Sequence, residues 1–256
     1  MYFYLNKFGL QLKKFRKERN FTQKFVEENS GVSISTLNRI ENGRSLPDYR
    51  VLDDLSVLYR IDLLNVLIRY RISDPSTLSK SITDSEYSIE INNLDQLQKN
   101  IENLIRLKRT NKNNYFQKHL ENHICLYNGI LNFRMKKYDI AYNLFIELLC
   151  NNILDFKIDF FDSFKYNEIE IRALMNIGII FQKQKKLEKY LEILLFCFDN
   201  NSENSKSYRD LCHNISLAYY YHNNYVESLR YNNLHFELCR QYNDYGNIPF
   251  IYYNQG

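Results

Sequence analysis

The chain is poor in the residues that punctuate loops: 256 residues include only 7 Gly and 3 Pro, and there is no Trp. So few turn-formers cannot serve a large all-β protein or an alternating βαβ sheet, whose connections depend on Gly and Pro. No apolar run reaches the roughly 18 residues of a membrane span. Asn6 and Lys7 stand too near the start for a secretory signal segment. The five cysteines (Cys125, Cys150, Cys197, Cys212, Cys239) are odd in number and form no C-x-x-C pair. Reduced core thiols are expected rather than disulfides or zinc ligands. What is abundant is helix-compatible: 22 Tyr and 17 Phe spaced among Leu, Ile, Asn and Lys. The fold expected is all-α, in a cytoplasmic protein without a membrane segment.

A net charge of +4 hides an asymmetry. Residues 1–72 carry 13 Lys and Arg against 8 Asp and Glu, and the remainder carries 21 against 22. The excess positive charge is therefore N-terminal, as in a small domain that meets a polyanion. The stretch Ser73 to Ser81, rich in Ser and Thr with Pro75, predicts a linker or helix-to-helix hinge over 73–85. Before it, five short amphipathic segments are expected near 6–19, 22–29, 33–41, 48–60 and 62–72. Residues 86–256 form the second domain.

Longer segments follow the linker, and they repeat. Gly129, Gly178, Ser216 and Gly256 align as small residues, and nine positions after the first three stand Tyr138, Leu187 and Tyr225. Twelve positions after them stand Ala141, Tyr190 and Ser228. Small residues allow paired helices to approach closely and aromatics fill the angle between them, as in degenerate tetratricopeptide repeats. Tyr190 breaks the pattern and predicts a more open pair, and 87–110 reads as a weaker unit. The sequence reaches Gly256 where a first helix would lack its partner. That predicts a shortened chain or a repeat completed by a second protomer, with Phe250, Ile251 and Tyr252 exposed.

In the first domain, Thr22-Gln23 opens a short helix, Gly31-Val32-Ser33 makes a turn, and Ser35 to Gly43 follows. This resembles the helix-turn-helix of phage repressors and Cro, whose second helix enters the major groove. Thr22 and Ser33 are suitable N-caps, Gly31 suits a left-handed helix end, and Val26, Val32, Leu37 and Ile40 supply a shared core. Ile34, Ser35, Thr36, Asn38 and Arg39 remain for the outer face, where Arg reads guanine and Asn reads adenine. By the same resemblance Gln23 approaches backbone or an outer base. Asn42, Gly43 and Arg44 approach phosphate through free N–H groups past the helix. Lys13, Lys14, Arg16, Lys17 and Arg19 add positive charge, Lys14 and Lys17 as a solvated helix face. Two residues depart from the motif: Glu27, where a small residue is usual, and Ser30, where an aliphatic is. Both predict looser helix packing or an altered docking angle.

The order Gly9, Leu12-Lys13-Lys14-Phe15-Arg16, Thr22-Gln23-Lys24, Arg39-Ile40-Glu41, Gly43, followed by degenerate repeats, resembles the PlcR/Rgg group of peptide-pheromone-responsive transcription factors. The stretches Tyr225 to Leu229, Leu238-Cys239-Arg240 and Tyr252 to Gly256 are similar to that group as well. The resemblance implies a cytosolic homodimer, a double-stranded DNA operator read by two N-terminal domains, and a short signalling peptide in the concave face of the repeats. Asn128, Asn176, Asn214 and Asn254 lie one or two residues before the aligned small residues. Amides both donate and accept, so such a ladder can hold the backbone of an extended peptide. Tyr127, Phe133, Phe181 and Tyr221 are candidates for nearby apolar pockets. The competing reading is a repeat protein that holds a partner protein, antitoxin-like or phosphorelay-inhibiting. Enzyme motifs are wanting: His119 and His123 share a helix face without the H-E-x-x-H pattern, and no phosphate loop or nucleophile elbow occurs. Neither a cofactor nor a metal is expected.

Overall fold

A computed structural model describes residues 3–203 and 205–242. Among these residues the secondary structure is helical: thirteen α-helices, one short 3-10 segment and no strand. The chain divides into two compact units, residues 1–121 and 122–256. Asn254 and the C-terminal aromatics lie outside the described residues.

The first unit begins with five helices: α1 (Leu5–Glu18), α2 (Gln23–Ser30), α3 (Ile34–Glu41), α4 (Tyr49–Tyr59) and α5 (Leu63–Arg69). Side-chain oxygens start four of them. Thr22, Ser33, Asp48 and Asp62 accept N–H bonds from Phe25, Thr36, Val51 and Asn65, satisfying donors that lack an intrahelical partner. Gly31 ends α2 in the left-handed conformation at φ 73°, where its missing Cβ removes the penalty. Phe8, Leu12, Val26, Leu37, Ile40, Leu55 and Leu63 meet in one core. Leu37 is fully buried, so Leu37→Ala removes a packed isobutyl group from the middle of it, a change worth about 2–5 kcal/mol. Gly9 lets α1 and α3 touch, because a Cβ there would overlap the Ile40 and Glu41 backbone.

The segment 73–85, expected as a linker, is mostly helical. Asp74 caps α6 (Pro75–Glu90) by accepting from Thr77 N–H, and Pro75 occupies the first turn, where its missing N–H is harmless. The same Ser, Thr and Pro residues that suggest a linker thus start a helix. α6 pairs with α7 (Leu94–Thr110), and the unit ends within α8 (Asn114–Arg134).

The second unit continues α8 and adds α9 (Tyr138–Asn152), α10 (Glu168–Lys183), α11 (Leu187–Asp199), α12 (Lys206–Tyr221) and α13 (Tyr225–Gln241). Tyr138, Leu187 and Tyr225, the residues nine after each small residue, are the first residues of the second helices. One turn joins every pair. Asn92, Lys136, Lys185 and Asn223 have φ between 53° and 62°. The next residue's N–H returns to a carbonyl five back: Asn93 to Ser88, Lys137 to Asn132, Lys186 to Phe181 and Asn224 to Tyr219, at 2.8–2.9 Å. This 6→1 closure satisfies the last carbonyls of the first helix. It also makes α6–α7 a fourth unit, with buried Ser85 nine residues before Leu94.

The small positions behave differently from pair to pair. A Cβ on Gly129 would overlap the Phe145 ring, whereas one on Gly178 would come no nearer than 3.2 Å to Ile193. The α10–α11 pair is therefore the more open, as Tyr190 predicts. Tyr190 itself is buried and donates its hydroxyl to the Asn214 carbonyl at 3.0 Å. In the third pair, Ser216 and Ser228 each donate to the other's carbonyl, at 2.8 and 2.9 Å.

Candidate functional site

The first candidate surface is the outer side of α3. Leu37, Ile40 and Glu41 turn inward, which leaves Ser35, Asn38 and Arg39 exposed and Ile34 37% exposed. These lie on one side because the helical period places 34, 35, 38 and 39 within a turn of one another. Thr36 is half-buried, and its hydroxyl accepts from Ser33 Oγ at 3.0 Å. Asn42 donates to both the backbone carbonyl and the Oδ1 of Asn38, at 2.8 and 2.9 Å, so the two amides are fixed together.

Beyond α3 the expected free N–H groups are not free. Asn42, Gly43 and Arg44 donate their backbone N–H to Asn38, Ile40 and Arg39, because Gly43 at φ 65° closes the helix end on itself. The Arg44 side chain remains exposed, whereas the Asn42 amide, also exposed, is engaged with Asn38.

Arg16, one of the positive charges of α1, turns inward instead of facing solvent. Its guanidinium holds Glu41 with two bonds, Nε to Oε1 at 2.6 Å and Nη2 to Oε2 at 2.8 Å, and also donates to the Phe21 carbonyl at 3.0 Å. Hydrogen bonding to Glu41 raises the Arg16 pKa against the opposing effect of burial. Gln23 joins this pair by donating to Glu41 Oε2 at 3.1 Å. One end of the Gln23 amide is thereby anchored and the residue stays half-buried. Arg19 turns back to the Phe15 carbonyl and stacks over Phe15 and Tyr59. Lys14 and Lys17 are exposed and Lys13 partly so.

Glu27 is the residue whose role sequence reasoning missed. Its Oε1 accepts the Ile34 N–H at 3.0 Å, so the departure from a small residue supplies a cap for α3 instead of loosening it. Ser30 likewise finds local partners, donating to the Val26 carbonyl at 2.7 Å and accepting from Val32 N–H at 3.3 Å.

The second candidate surface runs along first helices of the repeats. Asn128, Asn176 and Asn214 share one pose: each Nδ2 donates to the carbonyl four residues back, of Ile124, Arg172 and Asp210, at 2.7–2.9 Å. That bond fixes each amide and uses one of its two N–H groups. Asn128 and Asn214 are half-buried and Asn176 is 9% exposed. The registers differ, since the residue two before Gly129 is Tyr127, a fully buried ring. Tyr127 and Phe181 belong to the core, Phe133 is half-buried and Tyr221 is exposed. Among the described residues no group of three or more His, Cys, Asp or Glu is placed to hold a metal ion, and no helix is long and apolar enough to cross a membrane.

The Helix-turn-helix family matches residues 12–64. Over the whole length, the chain is similar to PlcR of Bacillus thuringiensis, solved in complex with the peptide PapR7 and DNA. The TM-score is 0.70 at 20% identity, over 97% of this chain and 85% of that one. The fold is that of PlcR. ComR from S. thermophilus, solved in complex with DNA and its signalling peptide ComS, is similar at a TM-score of 0.54 and 13% identity. That match covers 97% of this chain and 84% of ComR. No curated protein matches the chain. In this chain a helix-turn-helix domain is thus followed by four helical pairs, in a fold similar to PlcR over 97% of its length.

Proposed function

We propose that this protein is a transcriptional regulator that binds a double-stranded DNA operator as a homodimer, reads it with α3, and is switched by a short signalling peptide lying along the first helices of its repeats. The observation that carries the reading is the outer side of α3. It presents a hydroxyl, an amide and a guanidinium, Ser35, Asn38 and Arg39, on a rigidly capped helix of a helix-turn-helix domain. Such side chains match base edges in the major groove. PlcR and ComR, whose fold this chain shares, were solved with DNA and a peptide bound. Asn42 and Arg44 are assigned to phosphate, with Gln23 beside them. Asn128, Asn176, Asn214 and Asn254 are assigned to the peptide backbone.

The test is selection of duplexes from a random library by the full-length protein. It is followed by gel-shift titration with and without synthetic peptides encoded by short open reading frames beside its gene. Enrichment of a two-fold related sequence, with affinity that changes on adding one peptide, is the expected result. Failure to enrich any duplex overturns the DNA-binding reading. Enrichment with no response to any peptide, together with a stable partner protein recovered from native lysate, replaces the peptide by that partner.

A further inference from the structure

Resting on the DNA-binding reading, we propose that Glu27 is a specificity-determining positioning residue: its carboxylate occupies the anion-attracting start of α3 and so keeps DNA phosphate from binding there. The first turn of a helix concentrates unpaired N–H groups and the positive end of its dipole, which together attract phosphate. In α3 that position is filled from within the protein. Ile34 N–H donates to Glu27 Oε1 at 3.0 Å, Thr36 N–H to Ser33 Oγ at 3.2 Å, and Leu37 N–H to the Ser33 carbonyl at 2.9 Å. Ile34 and Thr36 N–H, two orphan donors of the first turn, are thereby satisfied, Leu37 N–H begins the ordinary helical ladder, and a carboxylate stands beside them.

Two consequences follow for a duplex approaching α3. A phosphate meets the Glu27 carboxylate where the Ile34 N–H would otherwise point, which lowers sequence-independent attraction at this end. Contact with DNA then falls to the Ser35, Asn38 and Arg39 side chains, which discriminate between bases. Glu27 also fixes where α3 starts, because it reaches across seven residues from the preceding helix. The docking angle of the reading side chains is set by that bond together with the Ser33 cap.

The two roles separate by substitution. Glu27→Gln keeps an oxygen that accepts from Ile34 N–H and deletes the charge, whereas Glu27→Ala deletes both. The experiment measures fluorescence anisotropy of the full-length proteins on a duplex selected by the wild type and on a scrambled duplex, over a salt series. For Glu27→Gln the expected result is a melting temperature lowered less than that of Glu27→Ala, because the hydrogen bond stays and only the charge is lost. Binding to the scrambled duplex should be about two- to fivefold tighter, the range of charge effects at a helix terminus. The salt dependence should steepen and the ratio of selected to scrambled affinity should narrow. Glu27→Ala should lower the melting temperature and weaken binding to the selected duplex. A Glu27→Gln protein identical to wild type on both duplexes at every salt concentration overturns the inference and leaves the DNA-binding reading standing. A wild type that enriches no duplex overturns that reading, and the inference with it.

Discussion

Glu41 is 2% exposed and is held by both arms of Arg16 and by the Gln23 amide. A charge withdrawn from water is tolerated only when paired and bonded, so each member of this trio depends on the others. Glu41→Ala leaves the Arg16 guanidinium buried without its counter-charge and should destabilise the protein by about 3–5 kcal/mol. Urea denaturation followed by circular dichroism reads this, and a loss under 1 kcal/mol would show that water replaces the carboxylate. Arg39, two residues earlier, is exposed. Arg39→Ala should leave stability unchanged and weaken binding to a selected duplex by about 1–3 kcal/mol, the worth of a bidentate base contact. Gel-shift titration with no loss removes α3 as the reading helix. Thr22, Gly31 and Ser33 were legible as caps because their roles depend on neighbours within a few residues. The Arg16–Glu41 pair was not, since 25 residues separate partners that only the packing of α1 on α3 brings together. Glu27 is hidden for the same reason: its size argues for disturbance, and its partner, Ile34 N–H, lies seven residues away on the next helix.

Spacing reveals the helical pairs, but only contacts say how tightly each is packed. Gly129→Ala drives a methyl group into the Phe145 ring, an overpacking worth about 1–3 kcal/mol. Gly178→Ala meets Ile193 at 3.2 Å and gains up to about 1 kcal/mol of helix propensity, so its net effect should be the smaller. Equal melting temperatures for the two variants would mean that the α8–α9 pair shifts apart without cost. The start of α6 offers a test in pH. Hydrogen bonds from the Thr77 side chain and N–H, with help from Ser76 and Lys7, lower the Asp74 pKa from 3.8 to about 2. A pKa depressed by folding stabilises the folded state above the unfolded value, and that stability is lost as pH falls through the folded one. Asp74→Ala should therefore cost about 1 kcal/mol near neutrality, a cap's usual worth. The difference from wild type should shrink once pH falls below about 4. A difference that stays constant down to pH 3 excludes the ionised carboxylate as its source. The fourth pair was partly hidden in the sequence because its small residue, Ser85, fell inside a stretch that read as a linker. Its spacing to Leu94 carried the signal.

Over the whole molecule, the helix-turn-helix domain does not swing on a free tether. The Tyr4 N–H donates to the Tyr70 carbonyl at 2.8 Å. The Tyr4 hydroxyl contacts the Thr110 carbonyl at 3.0 Å and accepts from Lys112 N–H at 2.9 Å. Lys7 donates to the Ser73 carbonyl at 2.6 Å, and the Arg71 guanidinium lies 5.0 Å from the Tyr115 ring and 5.4 Å from that of Phe116. All of these residues belong to the first unit. The helix-turn-helix domain is thus tied to the end of α7 and the first turn of α8, and α8 continues past residue 121 to Asn128 and Gly129. On the proposed function, a peptide held by Asn128, Asn176 and Asn214 would touch the helix whose beginning holds Arg71. Such a peptide would shift the helix-turn-helix domain only through a difference in affinity between two states. Tyr4→Phe keeps the ring and deletes the hydroxyl that holds the α7–α8 corner. It should leave peptide affinity, measured by calorimetry, within about twofold of wild type, while changing the peptide's effect on DNA affinity by an appreciable part of the 1–3 kcal/mol typical of such coupling. The combined substitution of Asn176 and Asn214 by Ala should do the reverse, weakening the peptide while sparing DNA affinity in its absence. If Tyr4→Phe leaves the ratio of DNA affinities with and without peptide at its wild-type value, the signal does not pass through this corner.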